Sequence, residues 1–197
     1  LKDTVIETLD FLQREMMSEE NMFYSSIDAD SDEGEGNYYT WERKDVDFLL
    51  PSISNVVSDY FGIQPYGNWQ GKNVLSKSIS VDELAEKYNI SIDKVNEIIQ
   101  QGKLTMWEER EKRSKPATDK KIITAWNALA IKAFIDGYRA TGKVKYLRTA
   151  LTSAEYLIGY QLRSNYRLNR IFIDGRSRIA GFLDDYAYLT EVMLELY

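Results

Sequence analysis

The sequence predicts a mainly α protein in which helical hairpins form a ring with an inner and an outer layer. Apolar side chains recur at helical spacing through most of the 197 residues, which is the pattern of amphipathic helices. One helix in the C-terminal half is apolar on most sides, and the helix after it is apolar on one side only. The first pattern is typical of an inner layer and the second of an outer layer. We expect strands only in short β-hairpins within loops.

The N-terminal part is predicted to hold three helices and a loop rich in carboxylates. Val5, Leu9, Leu12 and Met16 follow helical spacing in the first helix, and Pro51 separates the other two. The predicted elements in order are a helix over 3–17, short strands near 23–24 and 37–41, and helices over 42–50 and 52–61.

Side chains that can cap helix N-termini mark the next two helices. Ser80 and Glu83 match a capping box, in which each side chain bonds the backbone N–H of the other. The helix that they begin should reach Tyr88. Ser91 can cap a longer helix that extends to about Arg113.

The C-terminal part supplies the two helices on which the layer prediction rests. The helix over 122–141 leaves only a narrow polar strip, and Gly142 can end it in a left-handed conformation. An amphipathic helix over 147–162 follows. Residues 166–173 alternate enough to predict a short hairpin, and a last helix should begin at Phe182.

Composition limits the chemistry that the chain can perform. It contains no cysteine and no histidine, which excludes thiol chemistry and the usual general base near neutral pH. Any proton transfer must therefore use Asp, Glu, Tyr, Lys or Arg. The formal net charge of −6 argues against nucleic acid as a partner, because proteins that bind it usually present a basic face.

Neither a membrane span nor a signal peptide is visible in the sequence. No apolar run approaches the roughly 20 residues that a spanning helix needs, so we expect no membrane partner and a cytoplasmic protein. The chain opens at Leu1 and ends at Tyr197 within helical patterns. We therefore expect the rest of a longer polypeptide to complete the fold.

The densest cluster of charge lies between Tyr24 and Trp41. Five carboxylates fall there within eight residues, namely Asp28, Asp30, Asp32, Glu33 and Glu35. The first three match positions one, three and five of an EF-hand, but Glu33 replaces the required glycine and Tyr39 the final glutamate. We predict no metal centre and no cofactor. Calcium held by a nonstandard loop is the alternative to a solvated turn whose side chains cap backbone N–H groups.

Four aspartates are the candidate catalytic residues, namely Asp185, Asp28, Asp30 and Asp119. Asp185 falls on the apolar side of the last helix, where an unpaired charge is costly. It should therefore face a polar cavity or be paired, hydrogen-bonded or protonated, and the candidate partners are Arg110, Arg113, Arg176 and Arg178. Asp119 precedes a buried helix, which it could cap unless it stands at the mouth of the ring.

Five residues are candidates for contacting a ligand, namely Trp41, Trp126, Asn127, Tyr186 and Arg113. Trp126 lies on the repeating apolar stripe of its helix, which favours core packing. Its ring could instead stack on the C–H surface of a sugar. Asn127 lies off that stripe, and a buried amide there would need hydrogen-bond partners.

Four segments, taken in order and spacing, resemble the spermatogenesis-associated protein 20 family of thioredoxin-domain proteins. The segments are SSIDADSDEGEGNYYTW (25–41), GNWQGKNVL (67–75), EREKRSKPATDKKIITAWNALAI (109–131) and GFLDDYAYL (181–189). The resemblance covers nearly the whole chain, and it is specific because four matches occur in the same order.

The resemblance implies a fold but no settled reaction. In that family a thioredoxin-like domain precedes an (α/α) toroid similar to those of N-acylglucosamine 2-epimerases and six-hairpin glycosidases. Residues 1–197 would then be a single partial toroid domain, without the thioredoxin-like domain. Two positions depart from the family's pattern, because Lys120 stands where it has a second acid and Ala128 where it has glycine. Related epimerases also use histidines, which this chain lacks.

The leading hypothesis is a carbohydrate-related toroid whose acidic, aromatic-lined cavity binds or processes a sugar. A glycosidase-like or an isomerase- or epimerase-like enzyme would use Asp28 or Asp30 together with Asp185, and Asp119 is third. One alternative is a non-catalytic binding or scaffold domain, which the lack of histidine and the presence of Lys120 favour. Another is a calcium-stabilised structural domain.

Overall fold

The computed structural model describes residues 1–32 and 34–197. Helix accounts for 55% of it, and the predicted mainly α class with short antiparallel strand pairs is confirmed. No helix in this described part is long and apolar enough to cross a membrane. The elements in chain order are α1 (Lys2–Phe11), a π-helical segment (Leu12–Met16), β1 (Ser26–Ile27), β2 (Asp30–Ser31), β3 (Gly34–Glu35), α2 (Arg43–Leu49), α3 (Ser54–Phe61), α4 (Val81–Tyr88), α5 (Ile92–Arg110), β4 (Thr118–Asp119), β5 (Ile122–Ile123), α6 (Thr124–Thr141), α7 (Val144–Gln161), β6 (Asn169–Ile173), β7 (Arg176–Ala180) and α8 (Leu183–Leu196).

The chain divides into two compact units. The first joins Leu1–Ile27 to Thr118–Tyr197, and the second is Asp28–Ala117. Helical periodicity did not predict this division, because it describes each helix separately and says nothing about which helices pack together. The extent of a toroid domain over 1–197 stays a prediction.

In the first unit, α6 and α8 lie side by side and run parallel. The backbone N–H of Ala125 donates to the Asp185 carboxylate over 2.9 Å. About two turns further along, Lys132 pairs with Glu191 over 3.0 Å. Residue numbers therefore rise together along both helices. The turn at Gly142, whose φ is +71°, reverses the chain between α6 and α7 as predicted.

The helices α1 and α7 form a second parallel pair in the same unit. Lys145 pairs with Asp10 over 2.6 Å, and Gln13, just beyond α1, donates to Thr149 over 2.6 Å. Because α7 is antiparallel to α6, the unit contains two layers that run in opposite directions, α1 with α7 and α6 with α8. This two-layer set of hairpins is compatible with a segment of an (α/α) toroid, and the closed ring stays a prediction.

The first unit's core is centred on the buried side of α6. The Phe134 ring is fully buried and stacks on Phe23 with 5.3 Å between ring centroids. Tyr146 of α7 packs on the other side, 5.9 Å away. Gly137 lets α1 approach closely, because a Cβ atom at that position would lie 2.3 Å from Leu9 Cδ1. Aromatic and small residues together set how tightly the layers pack.

Tyr146 gives this interlayer contact a dependence on alkaline pH. Burial, and then the hydrogen bond that its hydroxyl donates to Asp10 over 2.9 Å, raise the pKa of Tyr146 to about 12. Burial also acts to raise the pKa of Asp10, but the bonds from Lys145 and Tyr146 outweigh it and hold that pKa below its usual value. The folded protein thus keeps the Tyr146 proton over a pH range in which the unfolded chain loses it.

We expect the free energy of unfolding to fall as pH rises above about 10, where the unfolded tyrosine ionises. Tyr146 should account for about 1 kcal/mol of the fall between pH about 9 and about 11. Urea unfolding at the two pH values measures it. Tyr146→Phe should show a smaller fall than the unchanged protein, whereas Tyr156→Phe, on an exposed tyrosine of the same helix, should not. Equal falls in all three proteins would contradict the expectation.

The predicted hairpin is present, but it spans different residues. The residues predicted to contain both strands supply only β6, which pairs with β7 around Asp174 and Gly175. Both turn residues have positive φ, +50° and +71°, as the tightest hairpin turns require. The second strand was not predicted because β7 is mostly exposed and lacks the apolar alternation that identifies a half-buried strand. With β5 the hairpin completes a three-stranded antiparallel sheet in the order β5-β6-β7.

The strands predicted beside the acidic loop lie a few residues away from their predicted positions. Phe23 and Trp41 each form an isolated bridge, to Met17 and Asn73 respectively. The ladders proper are β1 with β4 in the first unit and β2 with β3 in the second. Each strand contains two residues, which is too short for a side-chain period to fix its limits.

The second unit is made of four helices packed around two small apolar clusters. Its predicted caps are confirmed. The Ser80 N–H donates to the Glu83 carboxylate over 2.9 Å, and the Glu83 N–H donates to the Ser80 hydroxyl over 3.2 Å. Ser91 accepts from the Lys94 N–H over 3.2 Å. The helix α5 ends at Arg110, three residues before its predicted limit.

Candidate functional site

Asp185 is completely buried and holds three chain segments together. One carboxylate oxygen accepts the Ala125 N–H over 2.9 Å, in the first turn of α6. The other accepts the Phe182 N–H over 2.8 Å, at the start of α8, and the Arg170 guanidinium of β6 over 3.0 Å. A single carboxylate therefore satisfies N–H groups at two helix N-termini, where negative charge is favoured. The prediction that Asp185 points with the apolar side is confirmed.

The arginine that pairs with Asp185 was not among the four predicted partners. Arg170 reaches both Asp184, over 3.0 Å, and Asp185, and its guanidinium lies 4.6 Å from the Phe182 ring centroid. Burial acts to lower the pKa of Arg170, but the bonds to the two carboxylates outweigh it and the pKa lies above its ordinary value. Sequence could not select Arg170, because the pairing depends on β6 lying beside the start of α8.

Asp119 lies on β4 and bonds within its own segment. Its carboxylate pairs with the Lys121 ammonium over 2.8 Å and accepts the Lys121 N–H over 3.1 Å. The hydrogen bond from the Lys121 side chain, above all, holds the pKa of Asp119 below its usual value. The predicted capping of the next helix by Asp119 is wrong, because α6 begins only at Thr124 and Asp185 supplies the carboxylate there.

Asp28 and Asp30 belong to the second unit, whereas Asp119 and Asp185 belong to the first. Both loop aspartates are exposed, and Asp28 accepts the Asp30 N–H over 3.2 Å. This contact matches the alternative in which loop side chains cap backbone N–H groups. Their pairing with Asp185 in catalysis stays a prediction.

The described residues of the acidic loop do not form a cluster of metal ligands. No group of three or more Asp, Glu, His or Cys side chains that could hold an ion occurs within 1–32 and 34–197. Glu33, at the sixth position of the EF-hand comparison, lies outside the described residues. Asp32 accepts a hydrogen bond from the Ser114 hydroxyl over 2.7 Å. Calcium binding by the loop stays a prediction.

Trp41 and Arg113, two of the predicted ligand contacts, lie against each other. Trp41 is 3% exposed, and the Arg113 guanidinium lies 4.0 Å from its ring centroid. Arg113 also donates to the backbone carbonyl oxygens of Asn37 (3.0 Å), Tyr38 (3.2 Å) and Thr40 (2.7 Å). The chain just after the acidic loop therefore wraps around this guanidinium.

The side chains of Asn127 and Tyr186 form hydrogen bonds with backbone groups. Asn127 is 1% exposed, and its amide accepts the Phe23 N–H over 2.7 Å and donates to the Phe23 carbonyl over 2.9 Å. It also donates to the Ile123 carbonyl over 3.1 Å. The Tyr186 hydroxyl accepts the Leu168 N–H over 3.0 Å. These contacts are the partners that a buried amide was predicted to need.

Trp126 is the predicted ligand contact with the most exposed ring. Its side chain is 51% exposed, so the core packing that its apolar stripe favoured is wrong. Leu129 follows on the same stripe and is 43% exposed. The periodicity of an almost wholly apolar helix does not show which of its faces a neighbour covers, and here α1, α7 and α8 leave this one open.

Trp126 and Leu129 share a surface with residues of α8 that we call the α6/α8 face, defined as Trp126, Leu129, Lys132, Tyr188 and Glu191. Because Asp185 is level with Ala125 and Glu191 is level with Lys132, Tyr188 lies level with the turn of α6 that holds Leu129. Tyr188 is 37% exposed. The hydrogen bond to Glu191, above all, raises the pKa of Lys132.

Tyr188, Lys132 and Glu191 were not among the candidate residues. The available indication was a polar line along the last helix that contains Asp184, Tyr188, Glu191 and Glu195. That line marks a solvated face, but only the parallel packing of α6 against α8 pairs its Glu191 with Lys132 of α6. The resulting surface joins two aromatic rings, one aliphatic side chain and one ion pair.

The first unit is thus a two-layer assembly of helical hairpins with an aromatic and charged face. No family model matches the chain. Over its full length it is 31% identical to an uncharacterized protein of Caenorhabditis elegans, of which it covers 31%. Over 96% of its length it is 28% identical to spermatogenesis-associated protein 20 of Homo sapiens and of Mus musculus, and it covers 28% of each.

These relatives confirm the resemblance predicted from the four segments. Over nearly its whole length the chain is similar to proteins named spermatogenesis-associated protein 20, which supports that resemblance. It spans about three-tenths of the length of the curated relatives that it matches.

Proposed function

We propose that this chain supplies a carbohydrate-binding wall of an (α/α) toroid, with the α6/α8 face as the binding surface. The observations that carry the proposal are the half-exposed Trp126 on α6, the exposed Tyr188 on the adjacent α8, and the Lys132–Glu191 pair that joins the two helices. Sugars present apolar C–H surfaces that suit aromatic faces. They also present hydroxyl groups that both donate to carboxylates and accept from ammonium groups. The α6/α8 face provides both kinds of contact.

The proposal assigns binding rather than turnover to this surface. Glycoside hydrolysis uses two carboxyl groups roughly 5 to 10 Å apart, one of which gives up a proton. The buried Asp185 carboxylate accepts three hydrogen bonds, and it lies where two helices begin. This supports a structural role for Asp185 and favours the binding or scaffold alternative over a glycosidase or an epimerase.

The arrangement of the helices supports the toroid part of the proposal. Parallel α6 and α8 in one layer, with α1 and α7 in the other, are what two neighbouring hairpins of such a ring would show. The curated relatives are more than three times as long as the segment they share with this chain. In the proposal, the remaining hairpins of the ring come from other parts of those longer polypeptides.

Replacing Trp126 tests the proposal. Trp126→Ala should weaken binding of short glucose, mannose or N-acetylglucosamine oligosaccharides about tenfold, because it removes one aromatic stacking contact and its buried area. Isothermal titration calorimetry of both proteins measures the difference. The matched control is Trp107→Ala, since Trp107 is 37% exposed but belongs to the second unit. Failure of every oligosaccharide to bind, or equal losses in both variants, would overturn the proposal.

A further inference from the structure

A small polar cavity lies within the second unit, where separate parts of the chain meet. Its volume is about 160 Å³, and its walls are formed by Asn37, Thr40, Glu42, Asp45, Lys72 and Arg113. All six side chains are polar or charged, with two cations and two carboxylates among them. Three of the four segments that carry the family resemblance contribute to these walls, through residues 37 and 40, residue 72 and residue 113.

The guanidinium at the cavity is fixed by contacts with backbone carbonyl groups and with an aromatic ring. Arg113 is held by the carbonyl oxygens of Asn37, Tyr38 and Thr40, and its guanidinium stacks on Trp41. A guanidinium anchored in this way keeps its position and its charge whether or not a ligand is bound. The positive charge of Arg113 is therefore organised before binding.

Lys72 is brought to the same cavity by a second set of bonds. Its ammonium donates to the Asn37 side-chain oxygen over 2.5 Å. The backbone beside it is tied to Trp41, because Asn73 and Trp41 exchange N–H to carbonyl bonds of 2.8 and 3.0 Å. The Asn73 side chain is fully buried and makes three further bonds to residues 41 and 64. The two cations therefore belong to one rigid piece of structure.

The two carboxylates come from the start of α2. Glu42 pairs with Lys44 over 2.7 Å. Asp45 is exposed, and in the part of the chain that the structure describes its carboxylate makes no hydrogen bond and no ion pair. A carboxylate that lines a cavity without a partner can accept bonds from a ligand without breaking any bond of the protein.

We propose that this cavity binds a small α-amino acid in its zwitterionic form. The ligand's carboxylate would lie toward Lys72 and Arg113, and its ammonium group toward Asp45 and Glu42. A lining that carries both cations and carboxylates suits a molecule that bears both charges a few ångströms apart, and charge-assisted hydrogen bonds are the stronger ones. Because no apolar side chain lines the cavity, the ligand should have a small or polar side chain, as in glycine, L-alanine and L-serine.

Isothermal titration calorimetry with glycine and L-serine at millimolar concentrations tests the inference. Both should bind. N-acetylglycine lacks the ammonium group and glycinamide lacks the carboxylate, so neither should bind measurably. Asp45→Asn should weaken binding of L-serine about tenfold to a hundredfold, because it removes the charged partner of the ammonium group. Glu108→Gln, on an exposed glutamate of α5 in the same unit, is the matched control and should leave the affinity unchanged.

The result of this experiment does not depend on whether the carbohydrate proposal is correct, because the cavity and the α6/α8 face belong to different units. Absence of binding by both amino acids would overturn it. Binding of N-acetylglycine as tight as that of glycine would also overturn it, because the site would then select an anion alone. If Asp45→Asn and the unchanged protein bound L-serine with equal affinity, Asp45 would not contact the ammonium group. That result would contradict the proposed orientation of the amino acid in the cavity. Unchanged far-ultraviolet circular dichroism of both variants would show that they are folded.

Discussion

Asp185→Ala is expected to lower the free energy of unfolding by about 3 to 5 kcal/mol, the usual cost of removing one partner of a buried ion pair. The change leaves the N–H groups of Ala125 and Phe182 without their acceptor and takes one carboxylate away from Arg170. Urea unfolding followed by circular dichroism measures the loss. The first turns of α6 and α8 would lose their shared anchor at the same time.

Asp184→Ala is the matched control for this change. Asp184 precedes Asp185 and pairs with the same arginine, but its side chain is 40% exposed. We expect it to cost at most about 1 kcal/mol, as surface ion pairs do. Similar losses for the two variants would contradict a special structural role for Asp185.

Asp185→Asn separates the structural account from the catalytic hypothesis. Both carboxylate oxygens accept hydrogen bonds, so the amide that replaces them must turn its NH₂ group toward a donor. We therefore expect a loss of about 1 to 3 kcal/mol in this variant as well. If Asp185 were instead a catalytic residue, this variant should stay as stable as the unchanged protein and lose only turnover.

Asn127→Ala is expected to lower the free energy of unfolding by about 2 to 4 kcal/mol. The amide exchanges two hydrogen bonds with the backbone of Phe23 and makes a third to Ile123. Phe23 is itself 4% exposed, so water cannot easily replace the missing partner. A buried backbone group left unsatisfied costs about 1 to 3 kcal/mol. The same urea unfolding experiment measures the effect.

The control for Asn127 is an asparagine in a helix without these contacts. Asn96 of α5 is exposed, and Asn96→Ala should change stability by no more than about 0.5 kcal/mol. A small loss in Asn127→Ala together with a large loss in oligosaccharide binding would contradict the structural role. It would support the ligand contact that sequence predicted for Asn127.

Local chemistry made the helices and several of their ends predictable. Ser80, Ser91 and Gly142 act within one turn of their own helix, so sequence alone identifies their roles. The inward direction of Asp185 was equally predictable, because it follows from the spacing of apolar residues in one helix. The resemblance to the spermatogenesis-associated protein 20 family rested on four ordered segments, and the comparisons confirm it.

Contacts between distant segments were not predictable in the same way. Arg170 pairs with Asp185 only because β6 lies beside the start of α8, and that position depends on a hairpin whose second strand was not predicted from the sequence. The exposure of Trp126 was not predictable for the same reason. Its stripe is apolar, but no described helix covers it. The α6/α8 face became recognisable only when the parallel packing of two helices brought Tyr188 level with Leu129.

Hydroxyl-radical footprinting of Trp126 tests the central claim, that the α6/α8 face binds carbohydrate, most directly. Mass spectrometry compares oxidation of Trp126 and Trp107 with and without a saturating oligosaccharide, and Trp107 serves as an internal reference in the other unit. The account predicts that the oligosaccharide protects Trp126 several-fold and leaves Trp107 unchanged. Unchanged oxidation of Trp126 in the presence of a bound oligosaccharide would show that the sugar binds elsewhere and would contradict the claim.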